Sequence, residues 1–207
     1  QQRGCVMPCT PTLRELLFDY ANANDAESRA GVEKRVWDSF GIIGAVFVLD
    51  MAGFSRTTRD WGIVYYLAMI ERMQITVKPI IEQYGGEVVK FEADNCYARF
   101  PQVPNAIEAS IGINTAIEAI NRTTPKAVDI AVACGIDYGR YLLVDDKDFW
   151  GPPVNRASKL GEDIGVSGEI LVGHDAEEQI EDKDRFRFEP VSHSVSGILL
   201  DAYRVLY

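Results

Sequence analysis

From Ile42 onward, short apolar runs rich in β-branched residues alternate with longer stretches whose apolar positions recur at helical spacing. The short runs predict strands at Ala45–Leu49, Glu87–Phe91, Cys96–Phe100, Val128–Ile136, Tyr141–Val144, Glu169–Val172 and Ala202–Leu206. The longer stretches predict helices at Val64–Gln83, Ala106–Ile120 and Val154–Gly161. Gly85 and Gly86 stop the first of these helices, and the hairpin between the second and third strands carries Ala93 and Asp94 at its tip. Strand, helix, strand, strand, helix, strand is the order of a ferredoxin-like split βαβ unit. The expected class is therefore α+β, a βαββαβ core with extra strands and helices.

Residues 1–40 break this rhythm with Pro8 and Pro11, an amphipathic stretch from Leu13 to Tyr20, and the polar segment NANDAESRAG. They are read as an N-terminal arm, with 41–207 as the folded unit. The chain opens on Gln1, without an initiating Met, and is read as a trimmed or fragmentary product whose regulatory neighbours are missing.

Length and charge narrow the partners. With 207 residues and 47% hydrophobic content, one substantial core is expected. A net charge of −10 repels nucleic acid and anionic membrane surfaces alike, so neither is expected as a partner. No apolar stretch approaches the roughly 20 residues that cross a bilayer, and no signal-peptide pattern opens the chain. Cys5 and Cys9 lack histidines at zinc-site spacing, and Cys96 and Cys134 sit in apolar runs as small hydrophobes. Reduced thiols and a cytoplasmic location follow as expectations.

The candidate chemistry rests on two carboxylates at predicted strand ends, Asp50 in VFVLDMAGFS and Asp94 in EVVKFEADNCYARF. The short turn before the third strand brings Asp94 beside the end of the first strand, where Asp50 emerges. Hard oxygen ligands on rigid elements suit a pair of Mg²⁺ or Mn²⁺ ions. Taken singly, either aspartate reads as an ordinary turn residue. Small residues after Asp50 let backbone amides approach a polyphosphate closely, which makes Gly53 and Phe54 substrate-side candidates. Phe54, like Met51, reads first as a core or lid contact and second as a stacking surface for a base.

Four blocks of sequence resemble the class III nucleotide cyclases, the adenylate and guanylate cyclase catalytic domains. LDMAGFS resembles their D-I-x-G-F-[ST] block, and Lys90-Phe-Glu-Ala-Asp94-Asn-Cys-Tyr-Ala98-Arg-Phe100 their K-x-x-G-D-x-x-x-A-x-F block. The run Asp148-Phe-Trp-Gly151-Pro-Pro-Val154-Asn155-Arg-Ala157-Ser-Lys159-Leu160 is similar to D-x-W-G-x-x-V-N-x-A-A-R-L, and Ser167 to Val172 to the strand that follows it. The blocks run in family order from about Val46 to Val172. The chain departs from the family in three places. Ala93 replaces a glycine, a mild change if it keeps β dihedrals. Lys159 stands where the family has an arginine, exchanging a planar fork for a point charge. Val195-Ser-Gly197 falls where many members carry a triphosphate-binding Lys-Gly, closer to Tyr203 than in the family.

The resemblance implies a class III cyclase homology domain over 41–207, cyclising a nucleoside triphosphate to a 3′,5′-cyclic nucleotide and pyrophosphate. It implies two Mg²⁺ or Mn²⁺ ions per site on Asp50 and Asp94, base reading by Lys90 and Asp148, ribose orientation by Asn155 and phosphate contact by Lys159. A homodimer with two sites across its interface is also implied. Read alone, Lys90 is a solvated strand charge, Asn155 a helix-start cap and Asp148 part of a surface turn. ATP is the expected substrate, because Lys90 and Asp148 match the adenine-selecting pair by position. UTP and CTP present donors and acceptors that the same pair can meet, as in the pyrimidine cyclases of bacterial antiphage signalling. A nucleotide-binding sensor without turnover is the reading from another functional class.

Overall fold

The structure, a computed structural model, describes residues 11–126, 129–195 and 198–207. Its centre is β1 (Gly41–Met51), whose continuous apolar run reflects cover on both faces. Ala45, Phe47, Leu49 and Met51 face the main core, while Val46 and Val48 face a second cluster with Tyr141, Phe149, Val154 and Ala157. The main core lies under α4 (Ile63–Gln83) and α5 (Val103–Asn121). Along α4, Tyr66, Met69, Met73, Val77 and Ile81 recur every three or four residues and form the buried stripe.

Flanking β1 are β2 (Glu87–Glu92) with β3 (Asn95–Phe100) on one side and β4 (Val132–Val144) on the other. The order β2-β3-β1-β4, with β1 antiparallel to both neighbours, is the expected ferredoxin-like arrangement. Beyond it, β6 (Ile170–Gly173) joins β4 in parallel, and β8 (Ile198–Leu206) and β7 (Arg187–Val195) complete the path. A short β5 (Asp148–Trp150) folds back on β4, so that the sheet has eight strands among the described residues.

Several boundaries differ from expectation. The two runs expected at 128–136 and 141–144 form one strand, β4, because Gly139 pairs in register with Gly44 and does not break the ladder. Val128, where the first of those runs was expected to start, lies outside the described residues. Nothing in the sequence announced β7, which contains Pro190; as the last strand of the sheet it leaves one edge unpaired, where a missing N–H costs nothing. The helix expected at 154–161 is α6 (Pro152–Ser158), which continues into a π-helical turn over Lys159–Ile164. Polar FSRTTRDW forms α3 (Phe54–Trp61), split from α4 by Gly62 at φ 85°. Gly85 and Gly86 do stop α4, with Gly86 N donating to Ile81 O at 2.9 Å.

Ala93 is a correction. Its φ of 51° lies in the left-handed region, not among β dihedrals, because the two-residue turn between Glu92 and Asn95 demands it. N-terminal to the sheet, α1 (Leu13–Asn22) carries a Thr12–Glu15 capping box. The polar segment NANDAESRAG holds the start of α2 (Ala26–Phe40), capped by Asp25. Leu16, Val32 and Val36 bury one another, with Leu142 of β4 packed against them.

Candidate active site

Register explains how two carboxylates so distant in sequence meet. Asp50, next to last in β1, pairs directly with Asn95 of β3, and Asp94 is the turn residue just before it. On β1, Asp50 alternates with Val46 and Val48 and so shares their sheet face, the one α6 covers. The carboxylates are close enough to repel. Partial burial, then Asp94, then Glu162 of the π-helical turn push the Asp50 carboxyl up to about 6, against the opposing pull of the Met51 amide.

Asp94 has a partner that the sequence did not announce. Tyr66, 1% exposed on α4, donates its hydroxyl to Asp94 Oδ2 at 2.7 Å, with Met51 O at 3.4 Å as a weaker acceptor. Burial, then Asp94 and Asp50, hold that phenol far above its ordinary value, so it stays a donor. Glu162 was missed too; Tyr97 donates to its Oε1 at 3.0 Å.

A second pair forms at the outer strands. Lys90 Nζ lies 3.1 Å from Asp148 Oδ1 and 2.8 Å from Glu92 Oε2, above the Tyr97 ring at 5.0 Å. Glu92 first, then Asp148, raise the Lys90 ammonium above its usual range, so it stays charged. Phe149, buried beside Tyr97 and Tyr141, anchors β5, and its amide donates to Asp148 Oδ1 at 2.9 Å. That leaves one proton of the ammonium and Asp148 Oδ2 without a partner among the described residues.

Asn155 and Lys159 lie four residues apart on one side of α6 and its π-helical continuation. Neither makes a side-chain hydrogen bond or ion pair among the described residues, and Asn155 is exposed. Gly151, not Asn155, caps α6. What holds α6 down is backbone proximity: a Cβ on Gly135 of β4 would stand 2.1 Å from Ala157 O, and one on Gly161 2.9 Å from Val48 O. Arg156, beside Asn155, bonds buried Asp137 of β4 through Nε and Asp175 of α7 (His174–Glu177) through Nη2 at 2.6 Å.

Gly53 occupies the left-handed region at φ 104° and caps α3, a conformation that an L side chain resists. The Phe54 side chain lies outside the described residues, as do Ser196 and Gly197 of the expected triphosphate segment and both Cys5 and Cys9. The structure thus joins Asp50 with Asp94 and Lys90 with Asp148, and it leaves Asn155 and Lys159 unengaged. A cavity of about 340 Å³ lined by Gln102, Tyr138, Asp182 and Arg185 includes none of these residues.

The carboxylate pair fits a divalent cation on electrostatic grounds, since partial burial and then the charge of Asp94 hold Asp50 well above an ordinary aspartate and a cation would oppose both. No group of three or more His, Cys, Asp or Glu at metal-binding geometry occurs among the described residues. Two carboxylates with the remaining positions left to water and phosphate oxygens is a usual Mg²⁺ arrangement.

No protein-family profile matches the chain. A putative adenylate cyclase 3 of Rhizobium meliloti is 26% identical over 158 residues, 75% of this chain. The chain spans only 26% of that relative's length. The crystal structure of an adenylate/guanylate cyclase/hydrolase from Silicibacter pomeroyi superposes with a TM-score of 0.67 at 27% identity, covering 81% of this chain and 98% of the other. The adenylyl cyclase CyaB from P. aeruginosa gives 0.67 at 20% identity, covering 81% and 96%. In fold and motif order the chain is thus similar to the catalytic domains of class III nucleotide cyclases.

Proposed function

We propose that this chain converts ATP to 3′,5′-cyclic AMP and pyrophosphate, with 41–207 as the catalytic domain. The observation that carries the reading is the convergence of Asp50 and Asp94 at one end of β1. In the reaction the ribose 3′-oxygen bonds to the α-phosphorus, the bond from that phosphorus to the bridging oxygen of pyrophosphate breaks, and the hydroxyl proton leaves to solvent. Asp50 and Asp94 would hold two divalent cations of the Mg²⁺ or Mn²⁺ class, which would supply positive charge near the 3′-hydroxyl and the leaving pyrophosphate. Gly53 and Phe54 border the phosphates, with the backbone at Gly53 allowing close approach. Lys159 adds a cationic contact to phosphate, and Asn155 orients the ribose.

Lys90 and Asp148 read the base. The unpartnered ammonium proton can donate to a ring nitrogen while Asp148 Oδ2 accepts from the exocyclic amine, which suits adenine. Cytosine offers the same two groups on a smaller ring, and uracil a carbonyl beside an N–H; a UTP or CTP cyclase is accordingly the second reading. We further propose a two-fold homodimer. Its support is that Asn155 and Lys159 present unengaged side chains, and that the family builds its sites from two subunits. The same proposal includes a cytoplasmic location; among the described residues, no helix is long and apolar enough to cross a membrane.

Incubating the chain separately with ATP, GTP, CTP and UTP in the presence of Mn²⁺, with products identified by mass, tests this. Cyclic AMP from ATP is expected. A preference for UTP or CTP would replace the adenine assignment and keep the reaction, whereas no product from any triphosphate would leave a nucleotide-binding sensor.

A further inference from the structure

We propose that Tyr66 is a positioning residue for Asp94, fixing the carboxylate in the orientation that receives a divalent cation. This rests on the two-carboxylate reading given above. Asp94 stands on a two-residue turn whose first position, Ala93, is held in the left-handed region, so the turn alone is a poor anchor for a ligand. Tyr66 comes from a different element, the helix α4, whose next turns are locked into the core by Met69 and Met73. Its ring is buried, and its hydroxyl has exchanged water for one carboxylate oxygen at 2.7 Å. Hydrogen bonds to a charged acceptor are the stronger kind, and the competing Met51 carbonyl is farther, at 3.4 Å. With Oδ2 engaged, Oδ1 is the oxygen left for a cation, and rotation about the Asp94 side chain would break the bond.

Packing of the ring would be served equally by phenylalanine, and the hydroxyl could have been left to the main chain. A buried donor aimed at one member of an anionic pair has the form of the supporting contacts around metal ligands, whose loss lowers metal affinity about 10- to 100-fold.

Mn²⁺ binding, measured by electron paramagnetic resonance on the whole chain without nucleotide, tests the inference. The variants are Tyr66→Phe, Asp94→Asn and the two combined, each checked by circular dichroism for intact fold. Tyr66→Phe should weaken Mn²⁺ binding about tenfold or more, and adding it to Asp94→Asn should cause no further loss, because its effect runs through that carboxylate. If Asp94→Asn weakens binding while Tyr66→Phe matches the unaltered chain, the inference falls and the carboxylate reading stands. An equal loss in both backgrounds would also overturn it, since Tyr66 would then act elsewhere. Unchanged binding in Asp94→Asn would remove the carboxylate reading itself, and the role of Tyr66 with it.

Discussion

At Ala93 the chain keeps a conformation that an alanine resists. A φ of 51° costs an L side chain roughly 1–2 kcal/mol, and glycine avoids the cost while losing somewhat more unfolded-state entropy. Ala93→Gly should therefore stabilise the fold by about 1 kcal/mol, read as a rise in urea midpoint, with turnover retained. A fall in midpoint would mean that the turn is not left-handed. The carboxylates give the opposite bargain. Asp50 is held ionised against burial, Asp94 and Glu162, so Asp50→Asn should raise the melting temperature of the metal-free chain while abolishing cyclisation. A lower melting temperature would show that Asp50 supports the fold, not only the site. At this scale the motifs marked residues that the fold brings together, Asp50 with Asp94 and Lys90 with Asp148, while Asn155 and Lys159 of the same motifs stand unengaged among the described residues. Sequence reading missed Tyr66 and Glu162, which reach the site from other elements and whose neighbours carry no signature, and Tyr97, which stands at an unspecified position inside a motif.

Among elements, α6 carries the proposed ribose contact Asn155 and was only partly legible. Its observed start at Pro152 precedes the expected Val154, because the two prolines occupy its first turn, and the π-helical turn that carries Lys159 and Glu162 has no periodicity of its own to read. The strand β1 was legible because cover on both faces made its run continuous, whereas the edge strand β7 had no such constraint. Arg156 ties α6 to β4 through Asp137, whose other carboxylate oxygen is buried without a hydrogen bond. Removing Arg156 would leave that carboxylate unpaired, so Arg156→Ala should cost roughly 3 kcal/mol of stability. Burial outweighs Arg156 and lifts Asp137 to about 6, above the value it has unfolded. The folded state consequently holds this proton to higher pH, and the contribution is present below about pH 4 and lost as pH rises through about 6. The stability difference between the native chain and Asp137→Asn should shrink across that window in urea titrations. A difference that does not vary with pH would mean that Asp137 is ionised throughout.

For the whole molecule, a net charge of −10 opposes a triphosphate, and the lysines at 90 and 159 are too few to offset it alone, so cation binding and subunit pairing become the same problem. Lys90 is already engaged by two carboxylates, while Lys159 and Asn155 project from α6 without partners among the described residues. If a second copy supplies these side chains to the Asp50–Asp94 pair, each site contains one metal half and one ribose–phosphate half. Asp50→Ala and Asn155→Ala then damage different halves. A heterodimer of the two variants would combine both lesions in one site and leave the other intact. Random pairing makes half of the dimers mixed, each with one working site, so co-expressed variants should recover about a quarter of native activity although each alone is nearly inactive. Differently tagged subunits purified in tandem would isolate the mixed dimer and raise that recovery to about half. Absence of activity in such verified heterodimers would place both halves of the site in one subunit.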